Sequence, residues 1–196
     1  TIFDNVPETA EIKTVENTIV QNAGKTYLHT KDIPQTFVSM AHMGIDKNDP
    51  DYHTAQVMNF ILGSSGFGSR LTKEIREKRG LTYGIYSYLS DMEHVEIMGV
   101  SASTKNESAA EMLSLIKAEW KTMKTTPISE KELKDAKAYL IGSLPLSMTS
   151  TDKIAGLLLS IQYDDLPINY LDQRQAAIEA VTVEAVQAMA RRLWRL

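Results

Sequence analysis

The sequence has no cysteine among its 196 residues. Without thiols it can form no disulfide, no thiolate zinc site and no cysteine nucleophile, which excludes zinc fingers and thioredoxin-like chemistry together. A long hydrophobic run is also lacking. Apolar stretches such as 154–161 fall well short of the roughly 20 residues that span a bilayer, so we expect no membrane insertion.

An excess of charge of one sign is absent as well, because the net charge is only -4 and acidic and basic residues are interspersed. This pattern gives no reason to expect binding to nucleic acid or to an anionic membrane surface. Hydrophobic residues make up 43% of the chain, enough for a sizeable core. We therefore expect a single domain at 36–196, preceded at 1–35 by a linker with short edge strands, one of them at 18–20.

The two ends of the sequence suggest a piece of a longer protein. The sequence begins at Thr1 without a methionine or a basic-then-apolar leader, and it stops at Leu196 directly after a helical pattern. A leader of the longer protein would lie outside this sequence. The compartment is therefore unknown, and a periplasmic and a cytoplasmic location both stay open.

The first half of the sequence predicts a strand, two helices and a hairpin. The stretch 35–45 is rich in residues that favour strands. Asp49 and Pro50 predict the start of a helix over 50–62, and a second helix over 69–78 is ended by Gly80. The stretches 81–89 and 95–103 predict an antiparallel hairpin, in which Tyr86 falls on the face opposite Tyr83. Tyr88 shares the face of Tyr86.

The second half predicts helices only. Apolar residues recur every three or four positions between 109 and 123, and Ser129 with Glu132 forms a capping-box pattern. Further helices are predicted near 151, after 167 and after 182. Strands followed by a run of helices are typical of an α+β fold, so we expect an antiparallel or mixed sheet covered on one face by several helices.

The segment 63–89 carries the most information, and it reads GSSGFGSRLTKEIREKRGLTYGIYSYL. Together with the preceding DPDYHTAQVMNFIL, it resembles the C-terminal domain of the pitrilysin and mitochondrial-processing-peptidase family of zinc metallopeptidases. The motif positions agree in unbroken register from 49 to 89. The resemblance implies a metallopeptidase half-domain fold and a part in proteolysis.

In that family an N-terminal domain holds zinc through an inverted motif, His-x-x-Glu-His, whose glutamate handles the proton. The resemblance implies the zinc-free, inactive C-terminal domain here, because no histidine of this chain stands three residues before a Glu-His pair. We expect no metal ligand on this chain, zinc on a partner domain or subunit, and a peptide or unfolded protein as substrate. We interpret the four histidines as surface or packing residues: His29, His42, His53 and His94.

The same resemblance places an arginine and a tyrosine, seven residues apart in the family, at Arg76 and Tyr83. In the family this pair reaches toward the scissile region of the bound peptide. A phenol and a guanidinium suit this role because they stabilise the negative charge on a carbonyl oxygen under attack by zinc-bound water. The glycine-rich loop 63–68 lines the substrate cavity in the family, which makes Phe67 and Ser69 candidate substrate contacts.

The charge pattern gives separate support for Arg76, because no carboxylate stands three or four positions away from it. Its guanidinium therefore needs a partner in water, in another element or in a ligand. Arg79 has the same property, so only the family spacing distinguishes the two. The neighbouring charges can pair with each other at four-residue spacing: Lys73 with Glu77, and Glu74 with Lys78.

Two other interpretations stay open. One is a non-catalytic structural or assembly subunit of the same fold, similar to the core proteins of respiratory complexes. The other is a nucleotide-binding loop at 63–68, which is disfavoured because the lysine of such loops is missing and no parallel βαβ unit surrounds it. A homodimer of the excised domain is also left open.

Overall fold

The computed structural model describes residues 13–18 and 21–194. Two π-helical segments, Phe60–Ser64 and Thr72–Glu77, flank a 3-10 turn at Gly66–Gly68, and further 3-10 turns lie at Asn106–Ser108 and Pro145–Met148. The other helices and the strands, in chain order, are β1 Gln35–Met43, α1 Tyr52–Asn59, β2 Ile85–Met92, β3 Val95–Lys105, α2 Ala109–Thr125, α3 Glu130–Gly142, α4 Thr151–Tyr163, α5 Tyr170–Ala180 and α6 Val183–Leu193. Of the short strand expected at 18–20, residues 19 and 20 lie outside the described residues.

Among the residues that the structure describes, strand β3 is the centre of a three-stranded antiparallel sheet with the order β1-β3-β2. Val38 of β1 and Ile85 of β2 lie on either side of Ala102, and all three side chains are buried. Phe37 and Tyr86, at alternate positions, are exposed, because successive side chains of a strand point to opposite faces. The predicted α+β fold, with an antiparallel sheet covered on one face by helices, is confirmed.

A single hydrophobic cluster joins the inner face of the sheet to the helices. Each large side chain buried in it contributes about 1.5–3 kcal/mol to folding. Trp120 of α2 stacks on Trp194, with ring centroids 5.5 Å apart, so the end of α6 is fixed to a helix that covers the sheet. The cluster contains fully buried side chains from both the sheet and the helices: Met58, Leu62, Ile75, Met98, Met112, Ile116 and Ile178.

The helix that begins at Tyr52 approaches the sheet closely at Gly63. A Cβ atom on Gly63 would lie 2.5 Å from the Ser87 Oγ atom, and the Ser87 hydroxyl donates to the Asn59 carbonyl at 3.2 Å. The helix predicted over 50–62 ends at Ser64, inside the glycine-rich loop 63–68. The glycine lets the helix pass close to the sheet, and the helix continues as the π-helical segment to Ser64.

The hairpin forms, and β3 begins at Val95 as predicted, but β2 lies further along the chain than predicted. β2 begins at Ile85 rather than at 81 and extends to Met92, so the connection consists of Glu93 and His94. The late start has a local cause. The Thr82 hydroxyl accepts a hydrogen bond from the Gly84 N–H at 3.1 Å, which bends the chain before the strand.

Helices α3, α4 and α6 begin with side-chain caps, and the sequence pattern indicates the cap of α3. The Ser129 hydroxyl accepts from the Glu132 N–H at 3.2 Å, and the Glu132 carboxylate accepts from the Ser129 N–H at 2.9 Å, which is a capping box. The Ser150 and Thr182 hydroxyls cap α4 and α6 by accepting from the Lys153 and Ala185 N–H groups. Across residues 13–18 and 21–194, no helix combines the length and the apolarity that a membrane crossing needs.

Candidate functional site

The helix that carries Arg76 ends in a left-handed glycine. Gly80 has a φ of 64°, its N–H donates to the Arg76 carbonyl at 2.9 Å, and the Leu81 N–H donates to the Ile75 carbonyl at 3.0 Å. This pair of bonds closes a helix and reverses the chain. The segment that leads to Tyr83 is therefore held against the last turn of the helix with Arg76.

Tyr83 stands on a bend that its neighbours fix in place. The Thr82 hydroxyl lies 2.8 Å from the Gly84 carbonyl oxygen and 2.7 Å from the Ser103 carbonyl oxygen, and it donates to one of them at a time. Thr82 is buried, whereas the side chain of Tyr83 is 91% exposed. The backbone of the bend is thus anchored to β3 while the phenol projects into solvent.

A shallow groove of about 300 Å³ opens beside Tyr83 on the outer face of the sheet. Phe37, 67% exposed, and Tyr86, 57% exposed, line it together with Tyr83. The expectation that Tyr86 lies on the face opposite Tyr83 is wrong, because Tyr83 precedes β2 and does not follow its alternation. The other lining residues are small or uncharged: Gln35, Thr82, Gly84, Ser101, Ala102 and Ser103.

Arg79 has a carboxylate partner on its own helix that the sequence did not indicate. Its guanidinium donates to the Glu74 carboxylate at 2.5 Å and to the Glu74 carbonyl at 2.9 Å. Glu74 also pairs with Lys78 at 2.7 Å, as predicted. Hydrogen bonds from Lys78 and Arg79 lower the pKa of the Glu74 carboxyl below its ordinary value. The expectation that Arg79 lacks a carboxylate partner on its helix is therefore wrong.

The physical reason is the π-helical segment, in which the Lys78 N–H donates to the Lys73 carbonyl five residues earlier, at 3.0 Å. The wider turn changes which side chains are neighbours. Ion pairs on this segment therefore need not follow the spacing of three or four residues that holds on a regular α-helix. Arg76 lies half-buried on this segment. π-helical turns are rare in proteins as a whole, but those that occur are often at functional sites. The hydrophobic periodicity of the sequence gives no sign of such a turn.

The two candidate substrate contacts are Phe67 in the glycine-rich loop and Ser69 directly after it. Ser69 is 0% exposed, and its hydroxyl lies 3.0 Å from the Gly66 carbonyl oxygen and 2.9 Å from the Thr72 hydroxyl. That hydroxyl also accepts from the Thr72 N–H at 3.3 Å, so it caps the helix that follows. Contact of Ser69 with a substrate requires the loop to open. Phe67 belongs to the 3-10 turn Gly66–Gly68, and its side chain lies outside what the structure describes.

Arg70 forms an ion pair with Glu132 of α3. Its Nε atom donates to the Glu132 Oε1 atom at 2.7 Å and its Nη2 atom donates to Oε2 at 2.9 Å. Burial alone would raise the pKa of Glu132, but hydrogen bonds from Arg70 and Ser129 outweigh it and lower that pKa to about 2. This ion pair fixes the helix of Arg76 to α3. Sequence reasoning found only the capping role of Glu132.

Two of the histidines, His42 and His53, contact neighbouring side chains. The ring of His42 meets the edge of Trp120 with centroids 6.4 Å apart, and His53 lies 2.9 Å from the Gln56 side chain. Burial lowers the pKa of His53. Within the part of the chain that the structure covers, no three histidine, aspartate or glutamate side chains come together as metal ligands.

Comparisons with known proteins identify the family. The model of one protein family, described as the peptidase M16 inactive domain, matches residues 2–140. An uncharacterized zinc protease of Bacillus subtilis is 29% identical over 170 residues, which is 84% of this chain and 40% of the relative. A non-peptidase homologue from Helicobacter pylori is 31% identical over 141 residues, which is 71% of this chain and 32% of the relative.

A solved structure supports the same assignment. The crystal structure of the peptidase M16 inactive domain from Pseudomonas fluorescens matches with a TM-score of 0.76 at 36% identity, covering 83% of this chain and 39% of that chain. The chain therefore spans two fifths or less of the length of these relatives.

Proposed function

The chain belongs to the peptidase M16 family as its inactive domain, and on this premise we propose that it is the substrate-contacting, zinc-free half of a zinc-dependent endopeptidase. In this proposal the zinc lies on a partner domain or subunit. The relatives named zinc proteases support it. Their length beyond the matched part leaves room for such a half.

The observation that carries the proposal is the position of Tyr83. Its phenol is 91% exposed on a bend that the Thr82 hydroxyl ties to Ser103, at the end of the helix with Arg76. A donor that stabilises transition-state charge is effective when it is held in place before the reaction, since no reorganisation is then needed. A fixed backbone below an exposed phenol supports this role, because it limits the positions that the phenol can reach.

In the proposed mechanism Tyr83 donates its O–H to the carbonyl oxygen of the scissile bond, where negative charge develops. The guanidinium of Arg76 acts as its charged partner and holds a neighbouring carbonyl of the substrate. Zinc, when bound on the partner half, supplies the activated water. Loss of one such donor typically raises the barrier by about 2.7 to 4 kcal/mol.

The substrate in this proposal is a peptide or an unfolded segment in extended conformation. In the described part of the chain β2 is an outer strand, and it begins two residues after Tyr83. A strand added to that edge gains main-chain hydrogen bonds with little dependence on sequence. The groove lined by Phe37, Tyr83 and Tyr86 carries no charged residue, so it favours an apolar side chain of the peptide.

The test measures hydrolysis of an unfolded peptide by the zinc-bearing half alone and by the same half together with this chain, at equal zinc content. The proposal expects the combination to be at least about a hundredfold faster, because only then are the transition-state donors present. Equal rates would show that this chain contributes nothing to hydrolysis.

A second candidate function is a non-catalytic structural or assembly subunit of the same fold. The relative from Helicobacter pylori that is 31% identical is named a non-peptidase homologue, which favours this candidate. It predicts that replacement of Arg76 and Tyr83 leaves both assembly and any hydrolysis by the complex unchanged.

A further inference from the structure

One row of residues across the outer face of the sheet has a small side chain at its centre. Phe37 of β1 pairs with Ser103 of β3 in the antiparallel ladder. On the other side of β3, Ile85 of β2 pairs with Ala102, so the same register places Gly84 beside Ser103. The row therefore consists of Phe37, Ser103 and Gly84.

The ring of Tyr86 extends into this row because Gly84 has no side chain. A Cβ atom on Gly84 would lie 3.0 Å from both the Cε2 and the Oη atoms of Tyr86, so the ring lies against the Gly84 backbone. Phe37 stands at the other end of the row, and Ser103 between them is exposed. The two aromatic side chains therefore form the walls of a slot, and Ser103 forms its floor.

The slot has the width of one side chain. Neighbouring strands of a sheet are about 4.8 Å apart, so β1 and β2 are separated by about 10 Å. A ring placed above β3 lies about 5 Å from either wall, within the separation of roughly 4.5 to 7 Å at which aromatic rings interact favourably. The residues that line the groove carry no charge, and burial of an unpaired charged side chain is unfavourable. The slot therefore suits one large apolar side chain.

Phe37 has no part in holding the sheet to the helices. Its neighbour Val38 points into the core and is buried, whereas Phe37 lies on the opposite face and is exposed. The other residues on this face of β1 are not aromatic: Gln35, Ser39, Ala41 and Met43. Replacement of Phe37 should therefore change the slot and leave the core intact.

We propose that Phe37 determines the substrate specificity of the protease, by forming with Tyr86 a subsite over Ser103 for one aromatic or large aliphatic side chain of the peptide. Tyr83 lines the same groove, so a peptide with its scissile carbonyl at Tyr83 brings neighbouring side chains to the slot. Side chains on one face of an extended peptide repeat about every 7 Å, which gives each of them a separate subsite. The inference rests on the proposed function for the presence of a peptide substrate, and it does not require Tyr83 to donate its O–H.

The test compares matched peptides on the assembled protease, with the zinc half fused or added as a subunit. The peptides differ at one position, which is Phe, Ala or Glu, and the position is moved along both sides of the scissile bond. We expect wild type to prefer Phe over Ala at one position by at least about tenfold in kcat/KM, and to reject Glu there. Phe37→Ala should reduce the preference for Phe about tenfold and leave kcat/KM for the Ala peptide unchanged.

Two further variants separate the slot from a general effect on β1. Ser103→Leu fills the slot from its floor, so it should lower the preference for Phe as Phe37→Ala does. Met43→Ala is the matched control, because Met43 is an exposed residue on the same face of β1 but pairs with Ile97, far from Ser103. The control should keep the preference of wild type. Thermal unfolding checks that each variant is folded.

Binding gives a second readout that does not need hydrolysis. Fluorescence anisotropy measures the Kd of labelled Phe and Ala peptides for the zinc-depleted assembly. We expect the Phe peptide to bind more tightly to wild type, and Phe37→Ala to remove the difference.

Each outcome decides between the alternatives. A preference that is the same in wild type, Phe37→Ala and Ser103→Leu overturns the proposal, and so does a wild type that does not distinguish the Phe and Ala peptides. A Phe37→Ala variant that loses assembly and keeps its preference assigns Phe37 to a contact with the zinc half, which also overturns it. If the assembly hydrolyses no peptide, the proposed function fails, while the binding difference still supports or overturns the role of Phe37.

Discussion

The Thr82 hydroxyl lies 2.7 Å from the Ser103 carbonyl oxygen and ties the bend that carries Tyr83 to the central strand β3. The same hydroxyl accepts from the Gly84 N–H at 3.1 Å. One buried side chain therefore holds the backbone from which the exposed phenol of Tyr83 projects.

Thr82→Val tests this relationship, since valine keeps the shape of threonine and removes its hydrogen bonds. We expect the free energy of unfolding to fall by about 1–2 kcal/mol, because the Gly84 N–H loses its acceptor. Urea titration measures the change. Thr122→Val on the surface of α2 removes an exposed hydroxyl that donates to the Ala118 carbonyl, and it should have less effect. Equal losses in the two variants would refute a special role for Thr82.

Glu132→Gln tests the ion pair between α3 and the helix of Arg76. The folded pKa of about 2 lies below the reference value of 4.5, so the ionised carboxylate stabilises the fold above about pH 4.5 and loses this effect as the pH falls toward 2. Because the group is partly exposed, we expect a loss of about 1–2 kcal/mol near neutral pH. Unfolding measured between about pH 2 and 7 should show the difference from wild type vanish at the acid end.

A matched control is Glu130→Gln, an exposed residue in the same first turn of α3. Surface substitutions of this kind usually change stability by less than about 0.5 kcal/mol. A Glu132→Gln deficit that stays constant across the pH range would show that the lost stability does not come from ionisation.

The order of the helices and strands could be predicted from local patterns, as the capping box at Ser129 and the period of α2 illustrate. The prediction failed at Arg79, which lies just after a π-helical segment. A search for partners at the spacing of a regular helix cannot reveal a pair formed across that wider turn.

Two glycines should respond to alanine with opposite signs. Gly63→Ala places a Cβ 2.5 Å from the Ser87 Oγ atom, so we expect a loss of about 1–3 kcal/mol from overpacking. Gly156→Ala on α4 meets nothing within 4 Å, and helix propensity predicts a gain of up to about 1 kcal/mol. Thermal unfolding of both variants measures the signs. Destabilisation by Gly156→Ala would indicate a contact on α4 that the described structure lacks.

The candidate site was less accessible to sequence reasoning than the fold. Arg76 and Tyr83 were selected through the family resemblance, and the chemistry of a guanidinium and a phenol explained why they suit the role. Phe37 was missed. It reaches the groove of Tyr83 only because β1 and β2 flank β3, and residues so distant in sequence leave no local pattern.

The most direct test of the central claim is steady-state peptide hydrolysis by the assembled protease with Tyr83→Phe, which removes one oxygen atom and keeps the ring. We predict that kcat falls about a hundredfold or more with KM little changed, and that Arg76→Ala also lowers kcat. Tyr139→Phe, at another exposed tyrosine, is the matched control and should leave kcat unchanged. A Tyr83→Phe enzyme with the kcat of wild type would contradict the catalytic role and favour the structural subunit.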